Sequence, residues 1–229
     1  WLRELARGDR GRLQVRSRKG RERVRPLRLM AVAGMRRVPL IEKLIHAKCA
    51  LFDFDGVVAD TEPLYVELDR RALAALGYEA TDEELEGFVG KASEVEGPTL
   101  LARHGIQATE EDYLAVWDSD RDIYGNPGLA PNPGLPELWA RLRDRGCRIA
   151  VVSTTRCASL VRALNNFGLL TYVDAIVGRE MVSRMKPDPE PYLRALEILG
   201  IDASDAVAFD DSSSGVASAR AAGVYTVCY

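Results

Sequence analysis

Residues 51–60 read LFDFDGVVAD. A short apolar run meets two aspartates, Asp53 and Asp55, and then Gly56. A run of this length, apolar on both faces and bounded by turn residues, is that of a strand buried in a parallel sheet. Its end carries two acids one residue apart. Clustered carboxylates are costly unless a cation, a donor or a proton compensates them.

Working outward, the same pattern recurs. CALFDF (49–54), CRIAVVS (147–153), VDAIVG (173–178), AVAFD (206–210) and VYTVCY (224–229) are strand candidates. Between most of them lie helical stretches that stop at Gly146, Gly168, Gly200 or Gly223, each followed by an apolar residue. Glycine just past a helix end adopts the left-handed conformation cheaply, so these are carboxyl-terminal caps. Strand, helix, glycine, strand predicts an α/β fold with a doubly wound parallel sheet.

The interval 61–130 breaks this rhythm with helices only. They are expected at 62–76, at 82–88 after a capping box from Thr81 to Glu84, at 93–104, and at 110–124 capped by Thr109. A helical block inserted after the first strand reads as a small cap, with GNPGLAPNPG (125–134) as the hinge back. The expected division is a core of 38–60 and 131–229, a helical cap of 61–130, and a basic arm of 1–37.

The arm holds thirteen Arg and Lys against Glu4, Asp9 and Glu22, a net of +10, although the whole chain of 229 residues carries −3. It reads as a disordered tail. Its rival reading, a nucleic-acid surface, is not the expected partner.

The 47% hydrophobic and 28% charged content is that of an ordinary globular protein. No apolar run is long enough for a membrane helix, and no secretory signal follows the basic start. Cys49, Cys147, Cys157 and Cys228 form no CxxC pair, so reduced thiols and a cytoplasmic location are expected. His46 and His104 are the only histidines, which removes most histidine metal sites and Ser-His-Asp triads.

Four polar clusters stand at or beyond strand ends: Asp53 with Asp55, Ser153 with Thr154, Lys186 in MKPDPEPY, and Asp210 with Asp211. In open α/β sheets that edge binds ligands. Asp53, Asp210 and Asp211 make a hard oxygen set suited to Mg²⁺. Ser153 or Thr154 offers a hydroxyl to an oxyanion, and Lys186 one positive charge. Cation, lysine, hydroxyl and carboxylate nucleophile together describe phosphoryl transfer.

From about residue 48 to 229 the chain resembles the haloacid dehalogenase superfamily, in its helical-cap (subfamily IA, phosphatase and β-phosphoglucomutase-like) form. DFDGVVADTEPL resembles the first family motif, VVST the second, KPDPEPY the third and FDDSSSGVASARAAG the fourth. The resemblance implies a Rossmann-like core. It implies that Asp53 takes the phosphoryl group as an aspartyl phosphate and that Asp55 shuttles the proton. It further implies Mg²⁺ on Asp53, the main-chain carbonyl of Asp55, Asp211 and Asp210, with Ser153 and Lys186 on the phosphate oxygens. Members that cleave carbon–halogen bonds lack the acid two residues on, so Asp55 points to phosphate esters. Sugar-phosphate mutases of this type carry a histidine near Tyr65 and an arginine near Ser93, and both are missing here. Lys91 and Glu62 are the cap residues expected to meet substrate. Tyr65 either lines the same pocket or packs its helix. Capped members continue past the strand that ends at Tyr229, so a shortened carboxyl end is also expected.

Competing motifs fail. An EF-hand loop needs a polar residue at Val57 and a glutamate at Leu64; a P-loop needs glycine at Leu85 and Ser or Thr at Ala92. His46 and His104 read as structural, and Trp117, Trp139 and Phe167 as packing residues. The expectation is a Mg²⁺-dependent phosphatase for a small phosphorylated metabolite, monomeric or weakly dimeric. A sugar phosphomutase on the same scaffold is the alternative.

Overall fold

The computed structural model describes residues 40–88, 91–116 and 123–229. The basic arm and residues 117–122, which include Trp117 and most of the far end of the helix expected at 110–124, lie outside the described residues.

Five parallel strands form one sheet in the order β3-β2-β1-β4-β5: β1 Cys49–Phe52, β2 Arg148–Val152, β3 Ala175–Val177, β4 Ala206–Asp210 and β5 Tyr225–Cys228. β1 lies at the centre, pairing Cys49 with Arg148 of β2 and with Ala206 of β4. Its four residues are all buried, because helices cover both faces. Side chains alternate between those faces. Ala50, Phe52, Ile149, Val151, Val207 and Phe209 join a cluster with α6 (Leu135–Asp144) and α7 (Cys157–Asn166). Cys49, Leu51, Ala150, Val152, Ala206 and Ala208 face α8 (Glu190–Leu199) and α9 (Ser213–Ala221). The sheet is thus doubly wound, as the sequence predicts. Phe52 stacks on Phe209 at 4.8 Å and tilts against the buried Trp139 at 5.4 Å.

A short helix, α1 (Leu40–His46), precedes β1. After β1 come α2 (Glu62–Ala75), α3 (Asp82–Glu86), α4 (Ser93–Arg103) and α5 (Glu110–Ala115). These four have a cluster of their own, including Leu73, Leu85, Leu101 and Tyr113. Thr81 and Glu84 form the expected capping box, and Thr109 builds a second with Asp112. Inside this cluster Asp69 is buried and accepts hydrogen bonds from Ser93 Oγ at 2.8 Å and Tyr113 OH at 2.9 Å. Gly97 is needed there, since a Cβ would overlap the Tyr113 ring. His104 stacks on Tyr78 at 4.2 Å and faces Glu84, a structural setting.

The two chain crossings between core and helical block are tied together. Ala59 bridges to both Asp55 and Pro131. Buried Asn132 donates through Nδ2 to the carbonyls of Gly56 and Val57, each at 2.9 Å. The strand expected at 206–210 has those bounds, and the other four are shorter than expected: β1 stops at Phe52 and leaves Asp53 and Asp55 in the turn that follows.

Candidate active site

The central strand delivers the first carboxylate. Asp53 N donates to Phe209 O at 2.9 Å, which holds the residue against β4 and leaves it only 7% exposed. Gly56 then turns the chain at φ +79°, and a Cβ there would overlap the Asp211 carboxylate. The glycine lets the turn fold down onto Asp211. Asp210 ends β4 and is fully buried, while Asp211 next to it is exposed. Carboxylate oxygens of Asp53, Asp210 and Asp211 all lie within 4.8 Å of one another.

Lys186, from the loop after β3, sits between two of them. Its Nζ donates to Asp53 Oδ1 and to Asp210 Oδ2, both at 2.8 Å, and its side chain is 3% exposed. Burial opposes the ammonium charge, but Asp53 and Asp210 outweigh it and lift the lysine above its ordinary value. The carboxyl of Asp53 is pushed up to about 7: burial dominates, the charges of Asp210 and Asp55 add, and Lys186 offsets them only in part. Three carboxylates against one ammonium leave two negative charges uncompensated. That deficit, with oxygen-only donors, fits a divalent hard cation.

Asp210 has every acceptor position engaged. Oδ2 also receives Tyr192 OH at 2.6 Å, and Oδ1 receives Ser212 N at 3.0 Å and Ser212 Oγ at 2.8 Å. Ser212 in turn caps α9 by accepting from Gly215 N at 2.9 Å. Gly215 has no room for a Cβ, which would overlap the Asp210 carboxylate. The first turn of α9 therefore packs directly on that charge, with its positive end toward it.

Asp55 is half-buried and held by hydroxyls. Oδ1 accepts from Thr61 Oγ1 and Tyr124 OH, both at 2.8 Å. Oδ2 accepts from Thr155 Oγ1 at 3.1 Å and from Ser153 Oγ at the longer distance of 3.5 Å. Ser153, buried past the end of β2, also accepts from Thr155 N.

Asp53, Asp55, Ser153, Lys186, Asp210 and Asp211 are thus brought to one edge of the sheet. Thr154 is not: it is exposed and makes no side-chain hydrogen bond among the described residues, and its neighbour Thr155 is the hydroxyl that reaches Asp55. Lys91 is half-exposed on the helical block and pairs with Glu96 at 3.5 Å. Glu62, exposed at the start of α2, is raised above its ordinary value by partial burial and by the charges of Asp60 and Asp211, so it faces the acidic edge. Sequence reasoning missed Thr61, Tyr124, Thr155, Tyr192, Ser212 and Asn132. Tyr192 stands in the quoted KPDPEPY; Tyr124 gives no local signal, since it looks like one more residue at the end of a helix.

No helix among the described residues is long and apolar enough to cross a membrane. The family described as haloacid dehalogenase-like hydrolase matches residues 50–229. A phosphorylated carbohydrates phosphatase of Thermotoga maritima is 33% identical over 178 residues, covering 77% of this chain and 82% of its own. A plasmid-borne phosphoglycolate phosphatase of Cupriavidus necator is 34% identical over 183 residues, covering 76% of this chain and 77% of its own. The crystal structure of CbbY from Rhodobacter sphaeroides, in complex with phosphate, superimposes with a TM-score of 0.65 at 26% identity over 80% of this chain and 85% of that one. With its doubly wound sheet and its acids gathered at the carboxyl edge of β1 and β4, the chain belongs to the haloacid dehalogenase-like hydrolase family.

Proposed function

We propose that the chain is a Mg²⁺-dependent phosphatase that hydrolyses a small phosphorylated metabolite through an aspartyl phosphate on Asp53. The observation that carries this is the pairing of a buried carboxylate–lysine cluster with a second acid, Asp55, two residues from the first. Two relatives named as phosphatases, for phosphorylated carbohydrates and for phosphoglycolate, support the reaction class.

Asp53 and Asp211, with the main-chain carbonyl of Asp55, would hold the cation. Asp210 would join them only by giving up Lys186 or Tyr192, since its acceptor positions are taken. A divalent cation here supplies charge neutralisation between carboxylates and phosphate. An Asp53 oxygen bonds to phosphorus as the ester P–O bond breaks, and Asp55 gives its proton to the leaving oxygen, releasing the alcohol. Asp55 then takes a proton from water as that water attacks the same phosphorus, freeing phosphate and regenerating Asp53. Lys186 and Ser153 bind the phosphate oxygens. Glu62 and Lys91 meet the remainder of the substrate, and residues 61–130 act as a cap that limits its size.

An intramolecular phosphomutase is the second reading on this scaffold. Tyr65 gives its hydroxyl to Tyr124, and the Ser93 hydroxyl is turned into the helical block toward Asp69, so neither position supplies a charged side chain. We infer a cytoplasmic location, a reading that the free thiols support because they fit a reducing compartment.

The test is a phosphate-release screen over sugar phosphates, phosphoglycolate and nucleotides, with and without Mg²⁺, with Asp53→Asn as control. Release that needs metal and disappears in Asp53→Asn is expected. Full activity in that variant, or an isomerised sugar phosphate without free phosphate, would overturn the reading.

A further inference from the structure

Asp55 has no ammonium or guanidinium partner among the described residues; hydroxyls alone orient it. They come from three separate parts of the chain: Thr61 before α2, Tyr124 at the return from the helical block, and Thr155 after β2. Tyr124 is their meeting point. Its oxygen lies 2.8 Å from Asp55 Oδ1, 2.8 Å from Thr155 Oγ1 and 3.0 Å from Tyr65 OH. The side chain is buried, and its ring packs at 5.7 Å on Phe54, the residue between the two catalytic aspartates. Phe54 is backed by Phe167, stacked at 6.3 Å.

Tyr124 gives its one proton to Asp55 Oδ1 and Tyr65 gives its own to the Tyr124 oxygen, while the single Thr155 proton is shared between Asp55 Oδ2 at 3.1 Å and the Tyr124 oxygen at 2.8 Å. Both Asp55 oxygens are then fixed from outside the turn that carries them, and the fixing group stands on a ring that cannot rotate away. Such a donor sets direction, which matters for proton transfer because the acid must sit within hydrogen-bond reach of the leaving oxygen.

We propose that Tyr124 is a positioning residue for Asp55, acting through its hydroxyl with Thr155 on the opposite oxygen. This rests on the phosphatase reading and adds a residue that no motif marks. It also predicts a signature. An alkoxide leaving group needs the proton from Asp55, whereas a nitrophenolate departs with little help. Losing the alignment must therefore slow alkyl phosphates more than aryl phosphates.

The experiment compares Tyr124→Phe with wild type on glycerol phosphate and on p-nitrophenyl phosphate, both with Mg²⁺. The Phe variant keeps the ring against Phe54. kcat/KM, which reports the first phosphoryl transfer and not the hydrolysis of the aspartyl phosphate common to both esters, is expected to fall by about tenfold for the alkyl ester, a modest part of what proton transfer contributes, with a clearly smaller loss on the aryl ester. Thr155→Val is expected to shift the ratio the same way, and Thr155→Ser to restore it. Equal losses of kcat/KM on both esters, or an unchanged alkyl-to-aryl ratio of kcat/KM in both Tyr124→Phe and Thr155→Val, would overturn the inference while leaving the phosphatase reading in place. If the wild-type enzyme released no phosphate from any ester, both would fall.

Discussion

Removing the Tyr192 hydroxyl isolates a single buried hydrogen bond at the heart of the site. Tyr192→Phe preserves the ring, hence the packing of α8 on the sheet and the approach of Lys186 Nζ to the ring face at 5.3 Å. Only the 2.6 Å bond to Asp210 Oδ2 is lost. Burial, together with the charges of Asp210 and Asp53, raises the phenol well above its ordinary value, so it remains a donor throughout the usual assay range. A hydrogen bond to a charged acceptor is worth about 1.5–3 kcal/mol. Asp210 keeps Lys186 and both Ser212 donors, so it is not orphaned, and the lower end applies: about 2 kcal/mol. For a domain of this size each kcal/mol moves Tm by about 2–4 °C, so a fall of about 4–8 °C is expected. Calorimetry at pH 7 with urea unfolding as a second probe measures it. In an Asp210→Asn background the same substitution should cost about 1 kcal/mol less, because the charged acceptor is gone. A Tm within 1 °C of wild type, or equal costs in both backgrounds, would refute the claim that Tyr192 stabilises the fold through Asp210.

Gly215→Ala should destabilise by about 1–3 kcal/mol, the range for overpacking, since its methyl must displace Asp210 or the first turn of α9; urea unfolding reads this directly. Mg²⁺ at about a hundred times its Kd should raise stability by about 2.7 kcal/mol, and thermal shift with Asp211→Asn should show that gain abolished. The Glu84 carboxyl is held down at about 2, first by the Thr81 backbone N–H and then by the Tyr78 hydroxyl. A depressed carboxylate contributes stability that is fully present above its ordinary value of 4.5 and is lost as pH falls from there toward about 2. Amide protection around Thr81, taken relative to the intrinsic exchange rate at each pH, should therefore fall through that window in the wild type, and Glu84→Gln should flatten the response.

Much of this molecule is written in local pattern. Four-residue β1 reads as a buried strand because both its faces are apolar, and Gly146, Gly168, Gly200 and Gly223 mark helix ends through their positive φ. Asp53, Asp55, Lys186, Asp210 and Asp211 were legible for a related reason. A parallel sheet sends the end of each strand to the same edge, so acids and a lysine that follow strands must converge.

What remained hidden depends on segments far apart in sequence. Tyr124 reaches Asp55 across 69 residues, Thr155 across 100 and Lys186 reaches Asp53 across 133. Whether Thr154 or Thr155 faces the site turns on the twist of one loop, and whether Ser93 faces substrate or Asp69 on the packing of α4. Periodicity in the sequence determines which elements form and which edge carries the acids, because it encodes burial. The partner of each polar side chain is decided only when the sheet and the helical block are assembled, because a hydrogen bond depends on tenths of an ångström that no spacing specifies.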